Sequence, residues 1–468
     1  MTMSTLNKVL LFALVVYLAT AFLSRGYYHP DEHFQILEFA NYKLGKIRPD
    51  QLPWEFKDAM RSSFMPWIAY GVMTIVGNPF WTATILRIVT ALMSILAITF
   101  FIRVNDRTIS PEHKTVYYFL SFLLWFLPFI NVRFSSESWS GIFMLVTLSV
   151  LMQGDKRYWV AGLFAGLAFI CRFQSGIFIG GILAWLLFVE KRRVFSFGAA
   201  LLSVLVFEVL IDFLFYHRLE LTFINYFKIN IVDNVVAQFG TMTWYAYLVQ
   251  AVYYSIFPIG LLLFLSLLVL LVFYPRSLVT WTVLPFIVFH FIEPHKELRF
   301  LFPVANLMPL ILVWSYQAVI RELHPQVKLS WVGLALVVIN AMGLVSAMGV
   351  APSDGRIALI EYIHDNYKKG GPGYRYLPND NPFKPYPFLE QSFYAVPGLP
   401  LSEVDSTKAL DQGTYLILKR HELDSDSLVR KMGPVSVVYS GTPAFIREMQ
   451  SLYFLFPPND DYIVITKK

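Results

Sequence analysis

The sequence predicts a polytopic, mainly α-helical membrane protein that ends in a small soluble α/β domain. Of its 468 residues, 56% are hydrophobic and 17% are aromatic, a composition too apolar for a globule surrounded by water. Apolar runs of about 20 residues, the length that crosses a bilayer, recur until about residue 350 and then stop. We therefore predict a membrane domain at 1–350 and a soluble domain at 351–468.

The N-terminal part begins with a membrane anchor and a long loop. The run "VLLFALVVYLATAF" follows Lys8 and has no small-residue cleavage pattern after it, so we interpret it as a retained signal anchor rather than a cleaved signal peptide. The outer loop and its interfacial helices occupy 24–80. Within this loop, "SFMPWIAYGVMTIVGNPF" at 63–80 is short for a span and contains a proline, which favours a re-entrant or interfacial segment.

The basic residues indicate which side of the membrane each later loop faces. Five polar breaks between apolar runs carry lysine and arginine, and the positive-inside rule places them in the cytoplasm. The breaks that alternate with them then face the periplasm or an organelle lumen. We predict about eleven transmembrane helices, with the C-terminal domain on this second side. The five basic loops are at 103–114, 153–157, 190–193, 274–277 and 321–328.

The soluble tail has a pattern of its own. "APSDGRIALIEYIHDN" predicts a helix, and "TYLILK", "VSVVYS" and "YIVIT" predict short strands. Together they predict a small α/β domain on the side of the membrane opposite the basic loops. This domain either shapes a substrate groove or only caps the membrane domain.

The motif HPDEH opens the first outer loop. Pro30 suits the first position of a helix, and Asp31 and Glu32 then occupy its first turn, where the helix dipole favours negative charge. "FQILEFANY" continues as a predicted helix lying against the membrane surface. A capping cluster that only anchors the loop is the alternative interpretation, and a metal site made of His29 and His33 is a third.

The motif HKELR lies near the end of the membrane domain. Its spacing places His295 and Arg299 on one face of a predicted helix, with Lys296 beside them. Three cations at a helix start need an anionic partner, and a phosphate carried by a lipid would arrive at this depth. A neutralising role for Glu293 and Glu297 is the alternative.

A carboxylate beside a cationic phosphate pocket provides the minimum parts of a glycosyl transfer without a metal. We therefore predict no cofactor. Cys171 is the single cysteine, which excludes an internal disulfide, and no glycine-rich phosphate loop supports an ATP-driven pump. The net charge of +6 does not by itself indicate nucleic-acid binding. A transporter or flippase of a lipid-linked sugar is the main alternative, and a structural subunit without catalysis is another.

The paired motifs resemble the signatures of glycosyltransferase family 22, the dolichyl-phosphate-mannose-dependent mannosyltransferases of N-glycan and GPI-anchor assembly. "HPDEHFQ" is most similar to members that build the GPI anchor. "RFSSES" at 133–138 and "FGTMTWYAY" resemble further family segments, and the chain's length and lack of an N-glycosylation sequon favour a bacterial relative. Other matching positions are Asp212, Tyr216, Thr222, Asn225 and Asn230.

The resemblance implies a GT-C fold and an inverting transfer of mannose from a polyprenyl phosphate to a glycan or glycolipid. Asp31 would be the base and Glu32 the neighbour that orients the acceptor, while His295, Lys296 and Arg299 would bind the donor phosphate. The implied partners are the lipid-linked sugar, its acceptor and membrane lipids. Further candidates for substrate contacts are His29, Arg133, Arg172, Trp244 and Tyr245.

Overall fold

The computed structural model is mainly helical, as predicted, with a small sheet near the C-terminus. The basic loops at 153–157, 190–193 and 321–328 lie partly outside the described residues. The described residues are 3–154, 157–190, 194–323, 330–367, 373–404, 413–453 and 460–467. The helices of nine or more residues are α1 (Thr5–Leu23), α2 (Phe64–Val76), α3 (Pro79–Asn105), α4 (Lys114–Leu123), α5 (Ser136–Gln153), α6 (Tyr158–Cys171), α7 (Ser175–Trp185), α8 (Val194–Tyr216), α9 (Ala246–Tyr254), α10 (Phe257–Phe273), α11 (Leu278–Ile292), α12 (Met308–Leu323), α13 (Ser330–Gly349), α14 (Arg356–Asn366) and α15 (Ala444–Tyr453).

Several of these helices are long and apolar enough to cross a membrane. Four meet both criteria in the described part of the chain, and a fifth candidate is a helix pair, 298–305 and 308–322, that bends by 69°. The four are Thr5–Leu23, Pro79–Thr108, Val194–Tyr216 and Trp331–Gly349. Shorter apolar helices are Phe64–Val76, Tyr158–Cys171, Ser175–Glu190, Phe257–Phe273 and Leu278–Ile292. An integral membrane protein is therefore indicated, while the total of eleven crossings stays a prediction.

Helix α2 is the core of the segment predicted not to cross the membrane by itself. It has 13 residues, and at 1.5 Å per residue it is about 20 Å long, less than the ~30 Å of a bilayer core. It ends at Gly77, whose φ of +71° is accessible to glycine. Asn78 then caps α3 by accepting hydrogen bonds of 3.0 Å from the N–H groups of Phe80 and Trp81.

Buried polar side chains join helices inside the membrane domain. Asn131 and Asn306 exchange amide hydrogen bonds of 2.8 and 2.9 Å across the domain. Arg87 of α3 donates from Nε to the Ala21 carbonyl of α1 at 2.7 Å. Such bonds connect helices where apolar surface alone provides little preference for one partner. They fix α1, and hence the loop that follows it, against the rest of the domain.

The start of the outer loop packs against the rest of the protein. Pro30–Glu32 begins a helix that continues through a π-helical turn, His33–Leu37, to Glu38–Lys43. Residues 33–41 are all buried, and the placement of this helix at a membrane surface stays a prediction. Within it, His33 Nε2 lies 2.9 Å from the Glu38 carboxylate. The loop also contains the short elements Pro49–Gln51 and Trp54–Lys57.

In the described part of the C-terminal domain, five strands form a mixed sheet in the order β2-β1-β3-β5-β4. Strand β1 pairs in parallel with β2 and with the central β3, whereas β5 pairs antiparallel with β3 and β4. The three predicted strands are β3, β4 and β5, and α14 is the predicted helix. The strands are β1 (Tyr374–Tyr376), β2 (Leu401–Glu403), β3 (Tyr415–Lys419), β4 (Val435–Ser440) and β5 (Tyr462–Lys467).

Remaining short helical elements connect these parts. They are Asp106–Thr108, Pro111–His113, Leu127–Asn131, Leu186–Glu190, Thr222–Phe227, Lys228–Val232, Val235–Phe239, Leu298–Leu301, Phe302–Ala305, Ser353–Gly355, Ser392–Tyr394, Glu422–Ser425 and Ser427–Lys431.

Candidate active site

The two motifs lie together although 268 positions separate Asp31 from Arg299. The Asp31 carboxylate accepts a hydrogen bond of 2.8 Å from Arg299 Nη2, which forms an ion pair. Burial opposes ionisation of Asp31, yet Arg299 and His29 together hold its pKa well below its usual value. Asp31 is therefore an anion at neutral pH.

Local helix chemistry orients Asp31. Pro30 occupies the first helical position, and the His29 ring caps the turn by accepting from the Asp31 N–H at 3.3 Å through Nδ1. With Nδ1 accepting, Nε2 faces the Glu297 carboxylate at 3.3 Å. His29 therefore connects the HPDEH turn to the HKELR segment.

The HKELR segment is not the predicted helix. Helix α11 ends at Ile292, and the next helical turn begins only at Leu298, with Glu297 in an extended conformation at φ −131° and ψ 133°. The correction has a physical reason, because the Glu297 carboxylate interacts with His29, His295 and Arg299. An extended backbone turns Glu297 toward all three groups.

His295 is held in its charged form by its two acceptors. Its Nδ1 lies 2.8 Å from the Gly240 carbonyl, and its Nε2 lies 2.8 Å from the Glu297 carboxylate. Both acceptors require a ring N–H, and only an imidazolium has two. The hydrogen bond to Glu297 accordingly raises the pKa of His295. For Glu297, burial opposes ionisation, but the bond to His295 and the charge of Arg299 lower its pKa to about 2.

Arg299 is shared by three carboxylates. Its Nη2 donates to Asp31, its Nε donates to Glu297, and its Nη1 donates to Glu137 at 2.8 Å. Arg172 donates to the same Glu137 oxygen at 2.6 Å. Glu137 and Glu297 thus belong to the site. The sequence places Glu137 beside "RFSS" and Glu297 inside HKELR, but neither position says which cation it contacts.

We call the cluster of Asp31, Glu137, Arg172, Glu297 and Arg299 the charged centre. The remaining predicted residues differ in how close they lie to it. Arg172 is part of it, whereas Arg133 points to the first loop and donates to the Gly26 carbonyl at 2.7 Å. Trp244 and Tyr245 are 67% and 48% exposed, and the structure does not bring them to the centre. Their loop contributes backbone instead, because Gly240 accepts from His295.

Lys296 and an apolar cavity complete the site. The Lys296 ammonium donates to the carbonyls of His290 at 3.2 Å and Phe291 at 2.8 Å, at the C-terminal end of α11. Burial lowers the pKa of Lys296. The cavity beside it has a volume of about 740 Å³ and is lined by aromatic and aliphatic side chains as well as by His29, His295, Lys296, Glu297 and Arg299. An apolar chamber with cations at one end suits an anionic head on an apolar tail.

Both motifs lie in the part of the chain that matches a known protein family. Residues 8–369 match the model of the Alg9-like mannosyltransferase family. The chain belongs to this family. Its relatives include GPI mannosyltransferase 3 of Candida albicans, at 25% identity over 335 residues, or 69% of this chain and 66% of the relative. They also include mannosyltransferase APTG1 of Arabidopsis thaliana, at 24% identity over 66% of this chain and 58% of that protein.

A human relative is GPI alpha-1,2-mannosyltransferase 3, at 24% identity over 63% of this chain and 55% of that protein. The matches thus span less than two thirds of the relatives' lengths. Among solved structures, ArnT from Cupriavidus metallidurans bound to undecaprenyl phosphate has a TM-score of 0.51 at 12% identity, over 99% of this chain and 98% of ArnT. This likeness concerns the fold alone and confirms the predicted GT-C class.

The family-like stretch that begins at Asp212 holds a segment of the outer loop in place. Asp212 accepts from the Ser63 N–H at 2.8 Å, Tyr216 donates to the Arg61 carbonyl at 2.7 Å, and Asn225 donates to the Asp58 carbonyl at 3.2 Å. Thr222 also donates to Asp212, at 2.7 Å. These contacts position residues 58–63 of this mannosyltransferase-family chain. The family-like positions of the sequence include the anchoring residues but not the segment that they hold.

Arg61 is the cation of the anchored segment, and no sequence motif points to it. Its guanidinium lies 5.3 Å from the centroid of the Tyr226 ring and 3.5 Å from Glu55. Its charge is one of those that lower the pKa of Asp31. Within the described chain, Arg61 Nε and two nitrogens of Arg172 are buried without a protein hydrogen-bond partner. Oxygen-rich substrates would satisfy such donors.

Glu32 and His33 face away from the charged centre. Glu32 accepts from the Tyr28 N–H at 3.1 Å and lines a separate cavity of about 30 Å³ with Arg87, Arg133 and Tyr394. Burial, opposed in part by Arg133, raises the pKa of Glu32 to about 7. His33 stacks on Tyr394 at 5.5 Å, so HPDEH also anchors the C-terminal domain. No group of three metal-ligating side chains occurs in the described ranges, and metal independence stays a prediction.

Proposed function

We propose that the protein is a membrane mannosyltransferase that transfers mannose from a polyprenyl phosphate to a glycan or glycolipid acceptor. The observation that supports this most is the contact of Asp31 with Arg299 beside the apolar cavity. A base for the acceptor and cations for a departing phosphate are thereby adjacent. Family membership supports mannose as the sugar.

The donor lipid would occupy the 740 Å³ cavity with its phosphate toward the cations. His295, Lys296 and Arg299 all line this cavity and would receive the phosphate. Arg299 is shared by three carboxylates before the donor binds, so a phosphate would compete with Asp31 for it. Donor binding would then weaken the ion pair and make Asp31 a stronger base.

Asp31 would act as the general base of a single displacement. The acceptor hydroxyl oxygen forms a bond to the sugar C1 while the bond from C1 to the phosphate oxygen breaks. The hydroxyl proton passes to Asp31, and the electron pair leaves with the polyprenyl phosphate, whose charge the three cations stabilise. Attack opposite the leaving group inverts C1, so a β-linked phosphosugar gives an α-mannoside. No metal takes part in this scheme.

Glu32 would act through the turn and the first loop rather than by touching the acceptor, because it lines the cavity with Arg133. This differs from the role that the resemblance implies. The chain would cross the membrane about eleven times, with the site in the periplasm of a bacterial cell or in the lumen of the endoplasmic reticulum. The distribution of basic loops supports this orientation.

The test measures transfer from undecaprenyl- and dolichyl-phosphate mannose into a glycolipid extract, in membranes that carry wild type or Asp31→Asn, with a chelator present. We expect the rate of transfer in Asp31→Asn to fall at least about 100-fold. Asp50→Asn is the matched control, because Asp50 is an exposed carboxylate of the same loop. Transfer by Asp31→Asn equal to that of wild type would refute the assignment of Asp31 as the general base. Movement of labelled donor across vesicles without transfer would favour a transporter.

A further inference from the structure

A second cavity lies beside the donor cavity, between the outer loop and the start of the C-terminal domain. Its volume is about 380 Å³, within the range of small-molecule sites. Tyr28 and Phe129 line both cavities. Their rings pack edge to face with centroids 5.7 Å apart, so this pair forms a shared wall. We call this space the second cavity.

The HPDEH turn contributes to both cavities. His29 lines the donor cavity, and Pro30 lines the second cavity. Asp31 follows directly in the chain. A base that takes a proton from an acceptor needs a space for the acceptor apart from the donor phosphate, and the second cavity is a separate space bordered by the same turn.

The chemistry of the second cavity differs from that of the donor cavity. The donor cavity presents His295, Lys296 and Arg299 to an anion, whereas the described lining of the second cavity has one cation, Arg356, and one anion, Asp354. Balanced charge does not favour a phosphate. Tyrosine rings with a few polar groups are instead suited to sugars, whose C–H faces pack on rings and whose hydroxyls need hydrogen-bond partners.

The C-terminal wall of the second cavity is held in place by close packing. A methyl group at Gly26 would lie 2.8 Å from Ser353 Oγ and 3.1 Å from the Pro352 carbonyl. Arg356 donates to the carbonyls of Asn381 at 3.0 Å and Pro382 at 3.3 Å, just before Tyr386. These contacts fix Tyr386 relative to the HPDEH turn.

Two further observations suggest a ligand. Ser353 and Asp354 have φ values of +54° and +56°, a left-handed conformation that is unfavourable for side-chain-bearing residues and concentrates at functional sites. Among the residues that the structure describes, Ser353 Oγ is also buried without a protein hydrogen-bond partner. The Tyr386 ring lies 6.3 Å, centroid to centroid, from the ring of Phe34, three positions after Asp31.

We propose that the second cavity binds the neutral carbohydrate portion of the acceptor, with Tyr386 as a sugar platform and Asp354 and Ser353 as partners for its hydroxyls. The proposal rests on the proposed function for its link to catalysis. It assigns the C-terminal domain a share of the acceptor site. Substrate selection would then depend on residues outside the membrane domain.

Saturation-transfer-difference NMR on the full chain in lipid nanodiscs tests binding, because nanodiscs avoid glycoside detergents. The probes are four neutral disaccharides: α-mannobiose, chitobiose, lactose and maltose. We expect at least one to bind wild type, and its signal to fall at least about fivefold in Tyr386→Ala and Asp354→Asn. Asparagine tolerates the left-handed conformation at 354, so this variant should retain the fold even if Tyr386→Ala does not.

Phe445→Ala and Asp365→Asn are the matched controls, since both side chains are exposed in the C-terminal domain and do not line the cavity. Unchanged binding in both cavity variants would overturn the proposal, as would the absence of binding by wild type to all four sugars. Binding of undecaprenyl phosphate is measured on the same samples. If the protein bound a sugar probe but not undecaprenyl phosphate, the donor site alone would be refuted. If it bound undecaprenyl phosphate but none of the sugars, the second cavity alone would be refuted as a sugar site.

Discussion

Asp31 and Glu32 are adjacent in one helical turn, yet they belong to two different regions of the molecule. Asp31 meets the charged centre, where Arg299 and His29 outweigh burial and keep its pKa low. Glu32 lines a small cavity where burial outweighs Arg133 and raises its pKa to about 7. The helix dipole acts on both alike, so distant partners make the difference. The predictions below test that contrast.

The largest effect is expected from Arg299→Lys. Lysine is a compact point charge and cannot hold three carboxylates at once, as the guanidinium fork does. Asp31 would lose its fixed partner, and the donor phosphate would lose one of its cations. We expect transfer to fall at least about 100-fold and undecaprenyl phosphate to bind more weakly, measured as kcat and Kd.

The exposed Arg48, which pairs with Asp50 in the same loop, provides the matched control as Arg48→Lys. Its transfer rate should equal that of wild type. If Arg299→Lys retained transfer within threefold, the charged centre would not be the donor site, and the contrast between Asp31 and Glu32 would have no catalytic meaning.

A smaller effect is expected from His295→Gln, which removes a positive charge while keeping one amide donor. Transfer should fall about 10- to 100-fold. Because the bond to Glu297 raises the pKa of His295, wild type keeps the cation above the usual histidine range and loses it as pH rises through that raised value. A pH profile of kcat should therefore show an alkaline decline in wild type that His295→Gln lacks. The same decline in both would exclude His295 as its origin.

Arg61→Gln should lower transfer about tenfold, because it changes the pKa of Asp31. The charge of Arg61 helps to lower the pKa of Asp31, so its removal raises that pKa and moves the acidic limb of the pH profile to higher pH. Tyr216→Phe, which releases the Arg61 carbonyl, should cause a smaller shift in the same direction. A loss of activity without a shift of the acidic limb would indicate a purely structural role.

The sequence predicted a mainly helical membrane protein from its apolar runs, which are local patterns. The meeting of the two motifs was implied by the family resemblance and by their predicted placement on one side of the membrane. It could not predict which acid meets which cation. Glu137 reaches Arg299 across 162 positions, and no periodicity connects them. Helical spacing also gave the wrong conformation for HKELR. The extended backbone lets Glu297 contact the distant His29 as well as His295 and Arg299, two positions to either side.

The exposure of side chains explains other differences between the sequence predictions and the structure. Trp244 and Tyr245 matched a family-like loop, but their side chains are exposed, and the backbone at Gly240 makes the contact with His295. A sequence motif cannot show whether side chain or backbone is used. Conversely, Arg61 has no motif of its own, and only the bonds from Tyr216 and its neighbours show that its position is fixed.

The smallest effect on transfer is expected from Glu32→Gln, which completes the comparison with Asp31→Asn. A neutral amide keeps the shape of a carboxyl that the fold already favours in its protonated form, so transfer should stay within about threefold at pH 7. Stability should respond instead. The folded state holds a proton on Glu32 from its ordinary pKa of 4.5 up to about 7, so wild-type unfolding free energy falls as pH rises through this window.

Glu32→Gln removes that dependence, and its advantage over wild type should grow by at most about 3 kcal/mol between pH 5 and pH 8, since one pKa unit corresponds to about 1.4 kcal/mol. Thermal unfolding in nanodiscs at the two pH values measures the difference, with Glu112→Gln, an acid in the predicted cytoplasmic loop at 103–114, as the control. A pH-independent difference would show that Glu32 is ionised in the folded protein. The two neighbouring carboxyls would then differ in position but not in charge, and the contrast with Asp31 would be lost.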